Sequence, residues 1–242
     1  MQDTGFSRYA LFANTEKNWL PMDTEELYRE HLRTRRSDLE QYGWIDRTFT
    51  YRFNEHGFRS DAFDQGEGIM FLGCSMTLGT GLPWEDTWPY QISQRLGLRC
   101  WNLAQGGTGN DTMFRLALNW LPKLKPRMVM LMATANERFE IIEGKTSTTL
   151  MPTSRYPAYL DFYKNWITTE SNCLLNRHRN LLAIERLCSQ ANIPLLIFDW
   201  SDLCRWGNEF GSYIDYARDL AHPGPTTMKM FVSHVLDRLS NG

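Results

Sequence analysis

Four short apolar runs, Gly68 to Leu72, Leu98 to Leu103, Met128 to Met132 and Pro194 to Phe198, do most to limit what this chain can fold into. None alternates apolar with polar residues, so each is predicted as a strand covered on both faces. Helical spacing fills the gaps between them. A helix capped by Asp86 or Thr87 puts Trp88, Ile92 and Leu96 on one face before Gly97 ends it, and another from Thr112 turns Met113, Ala117, Trp120 and Leu121 inward with Pro122 as its stop. A longer helix runs from about Asn172 to Gln190 with Leu181, Ile184, Leu187 and Cys188 inward, and a last one starts near Pro225 and presents Phe231, Val235 and Leu239. Strands alternating with helices require crossover connections, which gives a central parallel sheet with helices on both faces, a flavodoxin-like three-layer α/β/α fold. Ligands of such sheets bind at the carboxyl ends of the strands. Ser75, the Gly106-Gly107 turn and Asn136 each follow a strand by a few residues and are expected to converge on that edge.

A chain of 242 residues with 42% apolar side chains can bury one large core. The repeat occupies residues 66–242, read as the main domain. Residues 1–65 do not fit it and are read as an N-terminal helix-and-strand arm packed on that core, with a helix over Thr24 to Arg36 and a strand over Thr48 to Phe53. Gly144 to Tyr163, rich in Thr, Ser, Pro and Tyr, is read as a long irregular loop of the kind that serves as a lid or binding loop.

A formal charge of -2 gives no electrostatic footprint for nucleic acid or an anionic membrane. The basic cluster Arg33, Arg35 and Arg36 lies beside Glu25, Glu26, Glu30, Asp38 and Glu40 and reads as a solvated face. Five scattered cysteines without Cys-x-x-Cys spacing suggest reduced thiols rather than a zinc knuckle or disulfide frame, and no His/Asp/Glu cluster has metal-ligand spacing. With no basic-then-apolar start and no run of about 18 apolar residues, the chain is expected to be soluble and cytoplasmic. A secretion route that uses no cleaved signal, or packaging into a larger particle, would leave no mark in the sequence, and the oligomeric state is left open.

The chemistry concentrates in four places. Ser75 lies in Gly73-Cys74-Ser75-Met76-Thr77-Leu78-Gly79, where glycines permit a sharp turn from strand into helix and the helix start adds partial positive charge. The same serine would serve equally as a helix cap, and the Gly-x-Ser-x-Gly elbow is not met because of Thr77. The turn Gly106-Gly107-Thr108-Gly109 can aim an amide hydrogen at a developing oxyanion; as a dinucleotide loop it fails, since Thr112 stands where the last glycine belongs. Asn136 can donate its side-chain amide to the same oxyanion or cap the next helix. Asp219 and His222, three residues apart before Pro223-Gly224-Pro225, can reach each other on one turn. A weak serine nucleophile needs such an imidazole to take its proton and a carboxylate to fix the ring. His31, His178 and His234 fall in predicted helices and His56 in the arm, without that partner.

From about Asn54 to Leu239, these four blocks in this order resemble those of the SGNH hydrolases, the GDSL-type esterases and lipases. The resemblance implies Ser75 as nucleophile, Asp219 and His222 as acid and base, and an oxyanion hole of Ser75, Gly107 and Asn136. The segment Asn54-Glu55-His56-Gly57-Phe58-Arg59 resembles the lead-in of one branch. Two positions depart from the pattern: Cys74 replaces the aspartate that usually precedes the nucleophile, and Glu137 replaces an aspartate after the asparagine. Attack by Cys74 itself is disfavoured, because adjacent residues leave a strand in opposite directions.

The function expected is hydrolysis of a short acyl ester, such as an acetyl ester, of a carbohydrate or small molecule, without cofactor or metal. Trp84, Trp88, Tyr156, Tyr159 and Tyr163 are candidates for stacking on sugar rings, or for the core. An acyltransferase would use the same triad, and an inactive SGNH-fold binding or structural protein is the alternative that Cys74 keeps open.

Overall fold

The computed structural model describes residues 4–63, 66–151, 157–167, 169–209 and 211–241. Its first part is built from small pieces. Strand β1 (Glu16–Lys17) is followed by helices α1 (Glu25–Thr34) and α2 (Arg36–Gln41), and strand β2 (Tyr51–Arg52) returns antiparallel to β1. The helix expected over Thr24 to Arg36 begins as predicted, with the Thr24 hydroxyl accepting from the Leu27 amide at 3.2 Å, but it breaks at Arg35. The strand expected over Thr48 to Phe53 is only two residues long, because β1 offers no longer partner.

The layered body follows: β3 (Gly68–Leu72), the short helix α3 (Ser75–Leu78), α4 (Trp88–Leu96), β4 (Arg99–Asn102), α5 (Asn110–Leu124) and β5 (Met128–Ala133). After a hairpin of β6 (Phe139–Glu143) and β7 (Thr146–Leu150) come α6 (Pro157–Phe162), α7 (Glu170–Gln190), β8 (Leu195–Asp199) and α8 (Pro225–Ser240). The sheet is parallel with strand order β4-β3-β5-β8. All five residues of β3 are buried, as a strand covered on both faces must be. On one face Ile69, Phe71, Met130 and Met132 pack with Trp88 and Ile92 of α4 and Phe231 and Val235 of α8. On the other, Met70, Leu72, Val129 and Leu131 pack with Met113 and Ala117 of α5 and Ile184 of α7. The three-layer α/β/α expectation is therefore met.

Two expectations are corrected. Pro122 does not stop α5: the helix runs to Leu124 and ends at Lys125, which adopts φ 45°. Proline removes one helical hydrogen bond, yet so near the end only one turn remains to form, and Leu121 and Leu124 hold it against the core. The supposed irregular loop from Gly144 contains β7, paired in register with β6 from Glu143↔Thr146 to Phe139↔Leu150 and turning at Gly144 with φ 62°.

The strand order reverses at β3, which lies between β4 and β5 although it precedes both. Chain segments leaving the carboxyl ends of these three neighbours therefore part to different sides and leave a crevice between them.

Candidate active site

Ser75 is the first residue of α3, three residues beyond β3. The turn depends on close packing: a Cβ on Gly73 would lie 2.1 Å from the Thr77 hydroxyl, and Gly79 ends the helix at φ 80°. The other end of α3 is clamped by Arg59, a fully buried guanidinium that donates to the carbonyls of Leu78 (3.1 Å), Gly79 (2.7 Å) and Leu82 (2.8 Å) and rests on the Tyr51 ring. Asn102, at the end of β4, donates to the Thr77 carbonyl at 2.9 Å and accepts from the Ala104 amide at 3.1 Å, so α3 and the following glycine turn are tied to each other.

His222 and Asp219 lie on a tight turn after β8 rather than on a helix. Ala217 N donates to the His222 carbonyl at 2.8 Å, Leu220 N to the Ala217 carbonyl at 2.8 Å, and Leu220 takes φ 52°. Asp215 anchors the start of α8 to this turn by accepting from the amides of Thr226 and Thr227, each at 2.8 Å. Within the turn, Asp219 Oδ1 accepts from the amides of Ala221 (3.1 Å) and His222 (3.0 Å), and Asp219 Oδ2 meets His222 Nδ1 in a short contact. His222 Nε2 reaches Ser75 Oγ at 2.8 Å. The three side chains, two of them 147 positions apart in sequence, thus form one continuous chain of contacts.

Burial pulls the His222 imidazole towards its neutral form, and the Asp219 carboxylate, by hydrogen bond and by charge, outweighs burial and holds it above the ordinary histidine value of 6.5. An imidazole held in this way, with Nδ1 committed to a carboxylate, presents Nε2 to accept a proton from the serine.

Gly107 sits at φ 70°, and neither its amide nor that of Ser75 meets an acceptor among the described residues. Both are free to meet an anion. Asn136 stands outside the cavity wall formed at Ser75 and Gly107. Its Oδ1 accepts from Arg177 Nη1 at 3.3 Å, and Arg177 is itself paired with Asp199 at 2.5 Å, which leaves Asn136 Nδ2 as the end that can donate. Cys74 is buried and absent from that wall; its Sγ is 4.0 Å from Ser75 Oγ. Burial raises the Cys74 thiol, but the Arg138 charge and hydrogen bonds from Thr134 and the Met76 backbone bring it below the ordinary thiol value.

The cavity at Ser75 and His222 has a volume of about 480 Å³. Much of its wall comes from the N-terminal segment, through Arg8, Tyr9, Phe12 and Met22, which the sequence reading did not single out. Tyr9 Oη accepts from the Gly106 amide at 3.2 Å, Arg8 N donates to Gln105 Oε1 at 3.0 Å, and Ser7 Oγ donates to the Gly57 carbonyl at 2.6 Å. A Cβ on Gly57 would come within 2.5 Å of the Tyr9 carbonyl, so that glycine of the lead-in segment is what lets the N-terminal chain lie so close. The described aromatic residues named for sugar stacking are elsewhere. Trp88 is in the core, Trp84 lies over Arg59, Tyr159 bonds Glu143 and Tyr163 donates to the Glu137 carbonyl, while Tyr156 is outside the described residues.

None of the five cysteines forms a disulfide and all are buried, and among the described residues no group of three His, Cys, Asp or Glu side chains could hold a metal ion. Among the same residues, no helix is long and apolar enough to cross a membrane.

No protein-family model and no curated protein matches the chain. Solved structures similar to it include TesA, at 16% identity over 72% of this chain and 98% of that one with a TM-score of 0.40. A GDSL-like lipase from Bacteroides thetaiotaomicron is similar at 13% identity over 72% of this chain and 88% of its own, with a TM-score of 0.37. An acetyl xylan esterase from the rumen bacterium Butyrivibrio proteoclasticus is similar at 14% identity over 80% of this chain and 66% of its own, with a TM-score of 0.38.

Proposed function

We propose that this chain is a serine ester hydrolase that cleaves a short acyl ester, such as an acetyl ester, of a small molecule or carbohydrate. Residues 66–242 are the hydrolase domain, and residues 1–65 are an arm that closes its cleft. The observation that carries the reading is the 2.8 Å contact of Ser75 Oγ with an imidazole whose other nitrogen is held by buried Asp219, at the wall of a cavity. A serine that only capped a helix would need neither partner. The order of the four blocks, which resembles that of the SGNH hydrolases, supports it independently.

In the first half-reaction Ser75 Oγ bonds to the ester carbonyl carbon while its proton passes to His222 Nε2. The carbonyl oxygen becomes an oxyanion, met by the amides of Ser75 and Gly107 and by Asn136 Nδ2. Collapse breaks the bond to the alcohol oxygen, which takes the proton from His222. A water then gives its proton to His222 and its oxygen to the acyl carbon; Ser75 leaves with that proton, and the acid is released. Loss of one donor to the oxyanion costs about 100- to 1000-fold in turnover. The cavity volume of about 480 Å³ suits a small ester, pockets for such ligands spanning roughly 300–1,000 Å³.

The test is labelling with a fluorophosphonate probe, which reacts only with an activated serine. The parent chain should be modified at Ser75, and Ser75→Ala should lose both labelling and hydrolysis of p-nitrophenyl acetate. A Ser75→Ala protein as fast as the parent would end the assignment.

A further inference from the structure

Resting on the ester-hydrolase reading, we propose that the ester taken by this site carries an anionic group, a carboxylate or a phosphate, gripped by Arg8 and Arg138. The two guanidiniums come from distant parts of the chain, one from the N-terminal segment and one from the loop between β5 and β6, and both line the cavity that holds Ser75 and His222. Each is moored to the same turn. Arg8 Nη1 donates to the Gly106 carbonyl, and Arg138 Nη1 donates to the Thr108 carbonyl at 3.2 Å and to the Thr134 hydroxyl at 3.1 Å. They therefore straddle Gly107, whose own Cβ position would lie 3.7 Å from Arg8 Nη1.

What sets them apart is a place on the wall of this cavity combined with the lack of a carboxylate. Arg47, Arg115, Arg177 and Arg218 are each paired with an acidic side chain, whereas among the described residues neither Arg8 nor Arg138 has one within ion-pair distance. Among the described residues no acidic side chain lines the cavity either. Two like charges facing one cavity repel, and mooring by neutral carbonyls offsets this only in part. A guanidinium has five donors in a planar fork suited to carboxylate or phosphate, and each mooring uses a single nitrogen, so donors remain for a ligand. Charge-assisted hydrogen bonds from two such groups would select an anionic ester over its neutral counterpart by about tenfold or more.

The full chain would be assayed on matched pairs, each rate divided by the rate of hydroxide-catalysed hydrolysis. For an anion on the alcohol side the pair is 4-acetoxybenzoate against 4-acetoxybenzamide, with 4-acetoxyphenyl phosphate separating phosphate from carboxylate. For an anion on the acyl side it is monoethyl adipate against ethyl hexanoate. We expect one anionic ester to lead its neutral partner by about tenfold in kcat/KM, through KM, with the lead shrinking as NaCl rises from about 0.05 to about 0.5 M. In the Arg8→Met/Arg138→Met double variant the anionic ester should lose about tenfold more than the neutral one, with fluorophosphonate labelling of Ser75 reporting that the nucleophile is still armed. Equal rates within every pair, or equal losses for both members in the variant, would overturn the inference and leave the ester hydrolase standing, the guanidiniums then serving the oxyanion or the turn. Absence of hydrolysis of every ester together with an unlabelled Ser75 would overturn both.

Discussion

Arg218 grips Asp23 through two hydrogen bonds, Nε to Oδ1 at 3.0 Å and Nη2 to Oδ2 at 2.7 Å, with both side chains at most 3% exposed. The pair joins the N-terminal segment to the turn that carries Asp219. The guanidinium lies between Trp19 and Phe49, 4.0 Å from each ring centroid, and Arg218 N donates to the Gly81 carbonyl at 3.0 Å. Tyr51 completes the junction by donating to Asp23 and accepting from the Gly81 amide at 2.7 Å. Asp23→Ala leaves a buried guanidinium unpaired, and a loss of about 3–5 kcal/mol is expected from chemical denaturation. Turnover of p-nitrophenyl acetate should fall as well, because the turn holding Asp219 loses its anchor. Asp23→Leu combined with Arg218→Met should recover much of the stability, since no charge is then stranded, but not the turnover.

The His222 imidazole must be neutral to accept the Ser75 proton, and the Asp219 carboxylate holds its pKa above 6.5 against the opposing pull of burial. Activity should therefore fall on acidification, with the midpoint of the acid limb of kcat/KM above 6.5. Asp219→Asn removes the largest raising influence, so the limb should move to lower pH while the rate drops by about 10⁴-fold. For stability the sign is opposite. A histidine whose folded value is raised contributes fully below its unfolded value, and that contribution disappears as pH rises through the folded value. Thermal melts of the parent from about pH 5 to pH 9 should show this loss on the alkaline side, and Asp219→Asn should not.

Gly107 is held at φ 70° with room to spare, since an added Cβ would meet only Met151 Cε at 3.6 Å and Arg8 Nη1 at 3.7 Å. Gly107→Ala thus costs only the left-handed backbone, about 1–2 kcal/mol. Relief of that strain would turn the amide away from the oxyanion, and turnover should fall about 100-fold. Gly43, at φ 73° with nothing within 4 Å of a Cβ, is the matched control: Gly43→Ala should lose similar stability and keep its activity.

Cys74 is buried and off the cavity wall, so if Ser75 is the nucleophile, Cys74→Ala should retain fluorophosphonate labelling at Ser75, and iodoacetamide should leave the parent active. Inactivation of the parent by the thiol reagent, together with loss of hydrolysis in Cys74→Ala, would make the thiol rather than the hydroxyl the reacting group.

The features legible in the sequence are those set by neighbours in the chain. Ile69 to Leu72 are wholly buried, which the non-alternating run already implied, and Asp219 and His222 share one turn because three residues separate them. Strand order was not legible, since nothing in β3 states that β4 and β5 will flank it. The contribution of the N-terminal segment to the cavity was hidden for the same reason: Tyr9 meets Gly106 across 97 positions, and no periodicity marks Arg8 or Tyr9 as facing a cleft. Gly57 was the available clue, a glycine with φ 73° whose missing side chain makes room for Tyr9. The β6–β7 hairpin escaped because Thr146 to Leu150 is polar apart from its last residue, and its pairing with Phe139–Glu143 supplies the order that its composition does not.

Arg177 touches neither Ser75 nor His222, and in the proposed mechanism its contacts give it a positioning role. One nitrogen donates to Asn136 Oδ1 at 3.3 Å and to the Thr134 carbonyl at 3.4 Å, while the other pairs with Asp199 at 2.5 Å. With its oxygen held, the Asn136 amide can present only Nδ2 to an oxyanion; without that hold, it is free to turn its oxygen towards the developing charge, where it would repel. Arg177→Met should therefore lower kcat towards the level of Asn136→Ala with little change in KM, because a donor to the oxyanion acts in the transition state and not on bound substrate. The double variant should be no slower than Asn136→Ala alone, since both changes remove one hydrogen bond. A purely structural role for Arg177 would instead add its loss to that of Asn136→Ala, and the double-mutant cycle on kcat distinguishes the two outcomes.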